Sequence, residues 1–301
     1  MADPEFIAQR SRLPGTPQPM RSWRGADGVT LAGDCWGDPE GPLVFLLHGG
    51  GQTRHAWGAT GALLASAGCH AVALDARGHG DSQWSASGDY STDAMVQDLK
   101  AVIASFGDRP AVLIGASMGG ITSLVGIGEG EINASALILV DVVPRCEASG
   151  VTRIKAFMQQ RPEGFETLDE VAEAIARYQP QRRKPASRQG LVKNLRIAPN
   201  GRLYWHWDPR YLEATHDLES RYQRLSNCAR RLRLPTLLVR GAQSDVVSEA
   251  GVQDFLALCP HAEHLDVAQA RHMVAGDRND VFGKAAWDFL CRHLPITVTG
   301  A

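Results

Sequence analysis

Ser117 is a single hydroxyl set between glycines in LIGASMGG, residues 113–120, directly after an apolar run. An apolar run, Gly-x-Ser-x-Gly and a small-residue helix start form the pattern of a tight strand-to-helix turn, in which the glycines remove Cβ clashes and leave the serine at the apex. A hydroxyl is a poor nucleophile at neutral pH. Chemistry at Ser117 therefore needs a base to take its proton and a carboxylate to orient that base. Without those partners the same residues make a plain βα turn with a capping serine.

Two later loops offer the partners. The apolar run at 236–240 leads into GAQSDVVS and brings Asp245 to its end, and the run at 262–267 leads into AQARHMV with His272. Asp141 competes with Asp245, because ILVDVV also ends an apolar strand in a carboxylate. Asp245 is the expected partner: a Gly-x-x-x-Asp turn gives its carboxylate room to reach the imidazole Nδ1. Asp141 is then expected to stabilise the start of the next segment. A nucleophilic attack on a carbonyl also develops an oxyanion, which the backbone must hold. LLHGGGQTRHAW (46–57) supplies glycines for that purpose, and the expected donors are the N–H groups of Gly50 and Met118, with Gly51 as the nearby substitute. No cofactor or metal is called for. The six cysteines, Cys35, Cys69, Cys146, Cys228, Cys259 and Cys291, are scattered without a C-x-x-C pair and read as reduced, mostly buried thiols.

Positioning these groups requires alternating strands and helices. VTLAGDCWG (29–37), PLVFLLHG (42–49), HAVALDARG (70–78), PAVLIGAS (110–117) and ASALILVDVV (134–143) read as strands, several of them apolar on both faces as central parallel strands are. WGATGALLASAG and STDAMVQDLKAVIASFG between them carry helical spacing and end in glycine. The rhythm breaks at 144–233. There TLDEVAEAIARY (167–178) opens with a Thr167–Glu170 capping box, and a basic stretch with Arg182, Arg183, Lys184 and Arg188 follows. Two β-like runs then flank Pro199-Asn200-Gly201. Alternation resumes with LPTLLVRG (234–241) and AEHLDVA (262–268), and VFGKAAWDFLCRHL (281–294) closes the chain as an amphipathic helix. The division expected is a core of residues 21–143 and 234–301, an inserted cap at 144–233, and a loose leader at 1–20 whose MADPEF start reads as a cloning remnant.

Composition narrows the partners. A chain of 301 residues with 44% hydrophobic and 21% charged residues and a net charge of −2 gives no electrostatic reason to bind nucleic acid or an anionic membrane. With no run of about 18 apolar residues and no hydrophobic signal core, a cytoplasmic monomer or homodimer acting on a small molecule is expected.

HGGG at 48–51, DARGHGDS at 75–82, GASMG at 115–119, GAQSD at 241–245 and ARHM at 270–273 occur in one order, and that order resembles the α/β-hydrolase superfamily, in the branch of small esterases, lactonases and cofactor-free haloperoxidase-like proteins. The resemblance covers about residues 28–294. It implies an eight-stranded, mostly parallel α/β sheet with a helical cap after the sixth strand, a structural role for DARGHGDS, and a Ser-Asp-His triad of Ser117, Asp245 and His272. An aspartate would replace Ser117 in the superfamily's epoxide hydrolases and haloalkane dehalogenases, so serine points to an acyl-enzyme.

For substrate binding, Arg54 is expected to grip a substrate carboxylate, since a guanidinium fork matches that geometry, with Trp57 beside it, and Trp205, His206 and Trp207 of LYWHWDP (203–209) are expected to line an apolar pocket. The expectation is thus a serine hydrolase of a small carboxylic ester, one carrying a free carboxylate, or of a lactone. The alternatives are carbon–carbon bond hydrolysis or perhydrolysis on the same triad, and a ligand-binding receptor that retains it.

Overall fold

The computed structural model describes residues 10–107, 109–180, 188–213, 217–274 and 279–294. Its main sheet has eight strands: β2 (Arg21–Arg24), β3 (Thr30–Trp36), β4 (Leu43–Leu47), β5 (His70–Leu74), β6 (Ala111–Ala116), β7 (Ala134–Val140), β10 (Thr236–Gly241) and β11 (Glu263–Val267), in the order β11-β10-β7-β6-β4-β5-β3-β2. The pairings from β11 to β5 are parallel, and β3 and β2 join antiparallel at one edge. The edge strand β2 has no apolar run in RSWR, which is why the sequence pattern does not reveal it.

Strand period builds two cores from the same residues. In β4, Leu43, Phe45 and Leu47 enter one apolar cluster while Val44 and Leu46 enter the other. Helices α1 (Gly58–Ser66) and α8 (Asn279–His293) contribute Leu64, Phe282, Phe289 and Leu290 to the second cluster. Helices α2 (Thr92–Ala104), α3 (Met118–Gly128) and α7 (Glu249–Leu258) cover the other face. Parallel strands covered on both sides leave the ends of the strands as the place where loops can gather a site.

The insertion follows β7, the sixth strand of the main sheet, and contains α4 (Ala148–Gln159), α5 (Leu168–Tyr178), β8 (Leu195–Ile197) and β9 (Leu203–Trp205). Thr167 Oγ1 accepts from Glu170 N–H at 3.2 Å, and Glu170 Oε2 accepts in return from Glu166 N–H at 2.9 Å, so the capping box reaches one residue further back than expected. β8 and β9 form the expected hairpin, turned by Gly201 at φ +77°. The cap is not helical throughout. Nor is residues 10–20 a loose leader: β1 (Ser11–Arg12) pairs with β8, completing a three-stranded sheet, and Leu13 is buried beside Phe165, Leu195 and Trp205. The cap also ends earlier than expected, because α6 (Leu218–Arg231) puts Leu225, Cys228 and Ala229 into the main core. The stretch around Arg182, Arg183 and Lys184 lies outside the described residues. Among the described residues no helix is long and apolar enough to cross a membrane.

Candidate active site

Ser117 sits between β6 and α3 at φ 45° and ψ −110°, a backbone conformation that costs a non-glycine residue about 1–3 kcal/mol. The flanking glycines make the turn possible. A Cβ on Gly115 would stand 2.5 Å from the Gly119 carbonyl, and one on Gly119 would stand 2.5 Å from the Leu47 carbonyl oxygen. Ser117 N–H donates to Val140 O and Gly119 N–H to His48 O, both at 3.1 Å, which ties the turn to both neighbouring strands. The strain is thus held by the sheet.

His272 Nδ1 donates to Asp141 Oδ2 at 2.7 Å. Asp141 is fully buried, with φ 49° at the end of β7, and also accepts from Gly241 N–H at 2.9 Å and from Ser244 Oγ at 2.6 Å. Three donors on one buried carboxylate fix its position. Asp245, the expected partner, is elsewhere: its Oδ2 lies 2.6 Å from Arg153 Nη2 on cap helix α4, with both side chains partly exposed. The loop after β10 therefore reaches the site through Ser244, which braces Asp141, while the next residue turns its carboxylate outward to the cap. Asp141 rather than Asp245 holds the imidazole.

The glycine loop has one amide spent internally, since Gly49 N–H donates to Gln52 Oε1 at 2.9 Å. Neither Gly50 N–H nor Met118 N–H, the first amide of α3, has an acceptor among the described residues. His48 braces the loop from behind. Its Nδ1 donates to Gly49 O at 2.8 Å and its Nε2 accepts from Ala76 N–H at 3.0 Å, an arrangement that only the neutral ring can make. Burial holds its pKa down to about 4.

Ser117, His272, Gly50 and Met118 all line one cavity of about 1050 Å³ between core and cap. Trp205, stacked on Trp207 at 5.1 Å, and Trp57, buried against Phe282, contribute to its wall. His206 does not. It is fully buried, with Nδ1 accepting from Gly80 N–H at 2.7 Å and Nε2 donating to Gly51 O at 3.3 Å, so it links the cap to the DARGHGDS loop and the glycine loop. Burial, reinforced by His79 and Arg196, lowers its pKa and keeps it neutral.

Arg54 is not available to a substrate either. It has no exposed surface, and its guanidinium faces Asp75 Oδ2 at 2.5 Å, Asp81 Oδ2 at 2.9 Å and Asp34 Oδ2 at 3.0 Å. Burial opposes its charge, but Asp75, Asp34 and Asp81 outweigh that and raise its pKa. Two residues that sequence patterns did not single out do reach the cavity: Lys193, after the basic stretch, and Tyr211, whose hydroxyl would stand 2.8 Å from a Cβ on Gly50. Neither belongs to a motif, because each comes from irregular cap backbone. Among the described residues no group of three or more His, Cys, Asp or Glu side chains could hold a metal ion.

Similarity to known proteins extends along most of the chain. The chain is 25% identical over 282 residues to esterase Rv0045c of Mycobacterium tuberculosis, covering 91% of this chain and 90% of that protein. A solved structure of that esterase superposes with a TM-score of 0.72. Protein phosphatase methylesterase 1 of Mus musculus is 34% identical over 139 residues, which is 44% of this chain and 36% of that protein. The structure of E-2-(acetamidomethylene)succinate hydrolase matches with a TM-score of 0.79 at 22% identity, over 90% of this chain and 99% of that one. The sequence profile of the alpha/beta hydrolase fold matches residues 42–278, and the chain belongs to that family.

Proposed function

We propose that the protein hydrolyses small carboxylic esters, lactones included, through an acyl-enzyme on Ser117. The observation that carries this reading is the 2.7 Å bond from His272 Nδ1 to buried Asp141, on the wall of the cavity that Ser117 also lines. With Nδ1–H committed to Asp141, the neutral ring presents Nε2 as the basic atom. In the proposed reaction His272 Nε2 takes the Ser117 proton as Oγ attacks the ester carbonyl, and Asp141 stabilises the imidazolium. The N–H groups of Gly50 and Met118 hold the oxyanion, an interaction of which each donor contributes about 10²–10³ in rate. The alcohol leaves with the proton from His272. A water, deprotonated by the same nitrogen, then attacks the acyl carbonyl and frees the acid.

The homology to an esterase over nine-tenths of both chains supports the reaction class. Fluorophosphonate labelling followed by peptide mapping tests the nucleophile directly. Covalent modification should fall on Ser117 and disappear in Ser117→Ala; stoichiometric labelling at another residue, or none while esters are still turned over, overturns the assignment.

A further inference from the structure

The cavity carries an uneven set of charges. Of the carboxylates in its wall, Asp141 is held by His272, and Asp217 caps α6 by accepting from the Glu219 and Ser220 amides. Of the cations, Arg224 is neutralised by Glu129 and Asp93, Lys155 on α4 is exposed to solvent, and Arg221 is on α6, the helix that Asp217 caps. Lys193 differs from Arg224. It is half-buried in the last turn of the 3₁₀ helix Arg188–Asn194 that precedes β8, and among the described residues no carboxylate pairs with its ammonium. Burial lowers its pKa, and no acidic neighbour opposes that effect.

Its location matters as much as its isolation. The adjacent Asn194 O accepts from His206 N–H at 3.2 Å, and His206 Nε2 donates to Gly51 O at 3.3 Å, which ties this segment to the glycine loop. The ammonium is therefore on the glycine-loop side of the cavity, with Asn194 beside it in the same wall. A partly desolvated cation that lines a substrate cavity and pairs with no carboxylate among the described residues is stabilised by a ligand that supplies the counter-charge. A carboxylate does so with a charge-assisted hydrogen bond.

Resting on the esterase reading above, we propose that Lys193 receives a carboxylate carried by the substrate, so that the preferred ester bears a second, free acid group a few carbons from the scissile carbonyl. This gives the anion-binding role to a cap residue, in place of the buried Arg54. It also makes selectivity for charged esters a property of the cap, because every catalytic group is on the core.

The test compares ester pairs that differ by one carboxylate, in the wild type, Lys193→Met and Lys193→Arg. On the acyl side the pair is mono-4-nitrophenyl glutarate against 4-nitrophenyl butyrate; on the alcohol side it is 4-(butyryloxy)benzoate against phenyl butyrate. In Lys193→Met the ratio of kcat/KM for the anionic ester to that for its neutral partner should fall about 10- to 100-fold in one of the two pairs, mainly through KM, as expected for losing one hydrogen bond to a charged group. That pair identifies which side of the ester carries the acid. Lys193→Arg should restore most of the ratio, and the wild-type preference should shrink as salt is raised. Ratios unchanged in both pairs, or equal losses on charged and neutral esters, overturn the proposal. Calorimetric binding of glutarate to the Ser117→Ala protein, with and without Lys193→Met, separates the two readings. Binding that depends on Lys193, with a wild type that turns over no ester, would keep the carboxylate site and remove the esterase, whereas binding indifferent to Lys193, with a wild type that does hydrolyse esters, overturns the carboxylate site and keeps the esterase.

Discussion

Asp141→Asn should lower kcat by about 10⁴-fold with little change in KM, while Asp245→Asn should leave kcat within a few-fold of wild type. The contrast follows from what each carboxylate touches. Asp141 is buried and accepts from the imidazole, the Gly241 amide and the Ser244 hydroxyl. An asparagine there offers an NH₂ or a carbonyl to Nδ1; presenting the NH₂ forces the ring into the tautomer that puts its proton on Nε2, where it can no longer act as base. Even in the other orientation the amide carries no charge to offset the imidazolium formed in the transition state. Asp245 makes one partly exposed ion pair to Arg153, an interaction worth less than about 1 kcal/mol, and its loss loosens one contact between core and cap. Steady-state kinetics on a single chromogenic ester, together with near-ultraviolet spectra showing that both variants are folded, decide the matter. Equal losses in the two variants, or the larger loss in Asp245→Asn, would remove Asp141 from the proposed triad.

The same pair of aspartates shows where sequence is readable and where it is not. Ser117 and His272 each occupy a distinctive local pattern, and the structure places both on one cavity. The fold was equally plain, because β4, β6 and β7 are apolar on both faces and admit few other assignments. Asp141 and Asp245 both follow apolar strands, so pattern alone does not rank them. What separates them is side-chain direction at adjacent strand ends: the left-handed φ of Asp141 turns it under the imidazole, and Ser244 takes the inward place in the loop that Asp245 was expected to fill. Arg54 shows a second limit. Its position after the glycine loop suggests a binding residue, but its partners come from two separate places in the chain, Asp34 from β3 and Asp75 and Asp81 from the DARGHGDS loop, and only the folded contacts reveal that their charge is already spent on it. The third strand of the cap sheet was hidden for a related reason, since β1 is two residues long and acquires its strand character only by pairing with β8.

Arg54→Met should therefore act on stability rather than on substrate choice. Methionine keeps much of the side-chain volume but removes the cation facing Asp75, which is completely buried, and Asp34 and Asp81, which are nearly so. Arg196 also reaches Asp81 at 2.8 Å and Arg12 approaches it at 3.7 Å, so Asp81 retains a counter-charge in the variant. Asp75 does not. Its Oδ2 keeps the Asp81 amide and its Oδ1 the Arg54 amide, but no other cation pairs with it among the described residues. Removing one partner from a buried ion pair costs about 3–5 kcal/mol, which in a domain of this size lowers Tm by about 10 °C. Urea unfolding of the wild type, Arg54→Met and the double variant Arg54→Met/Asp75→Asn measures the effect, and the double variant should recover part of the loss because it also removes the stranded charge. The ratio of kcat/KM between charged and neutral esters should be the same in Arg54→Met as in the wild type at a temperature where both are folded. A variant of wild-type stability that has lost its preference for anionic esters would return Arg54 to the substrate site and would mean that the cluster of aspartates opens in solution.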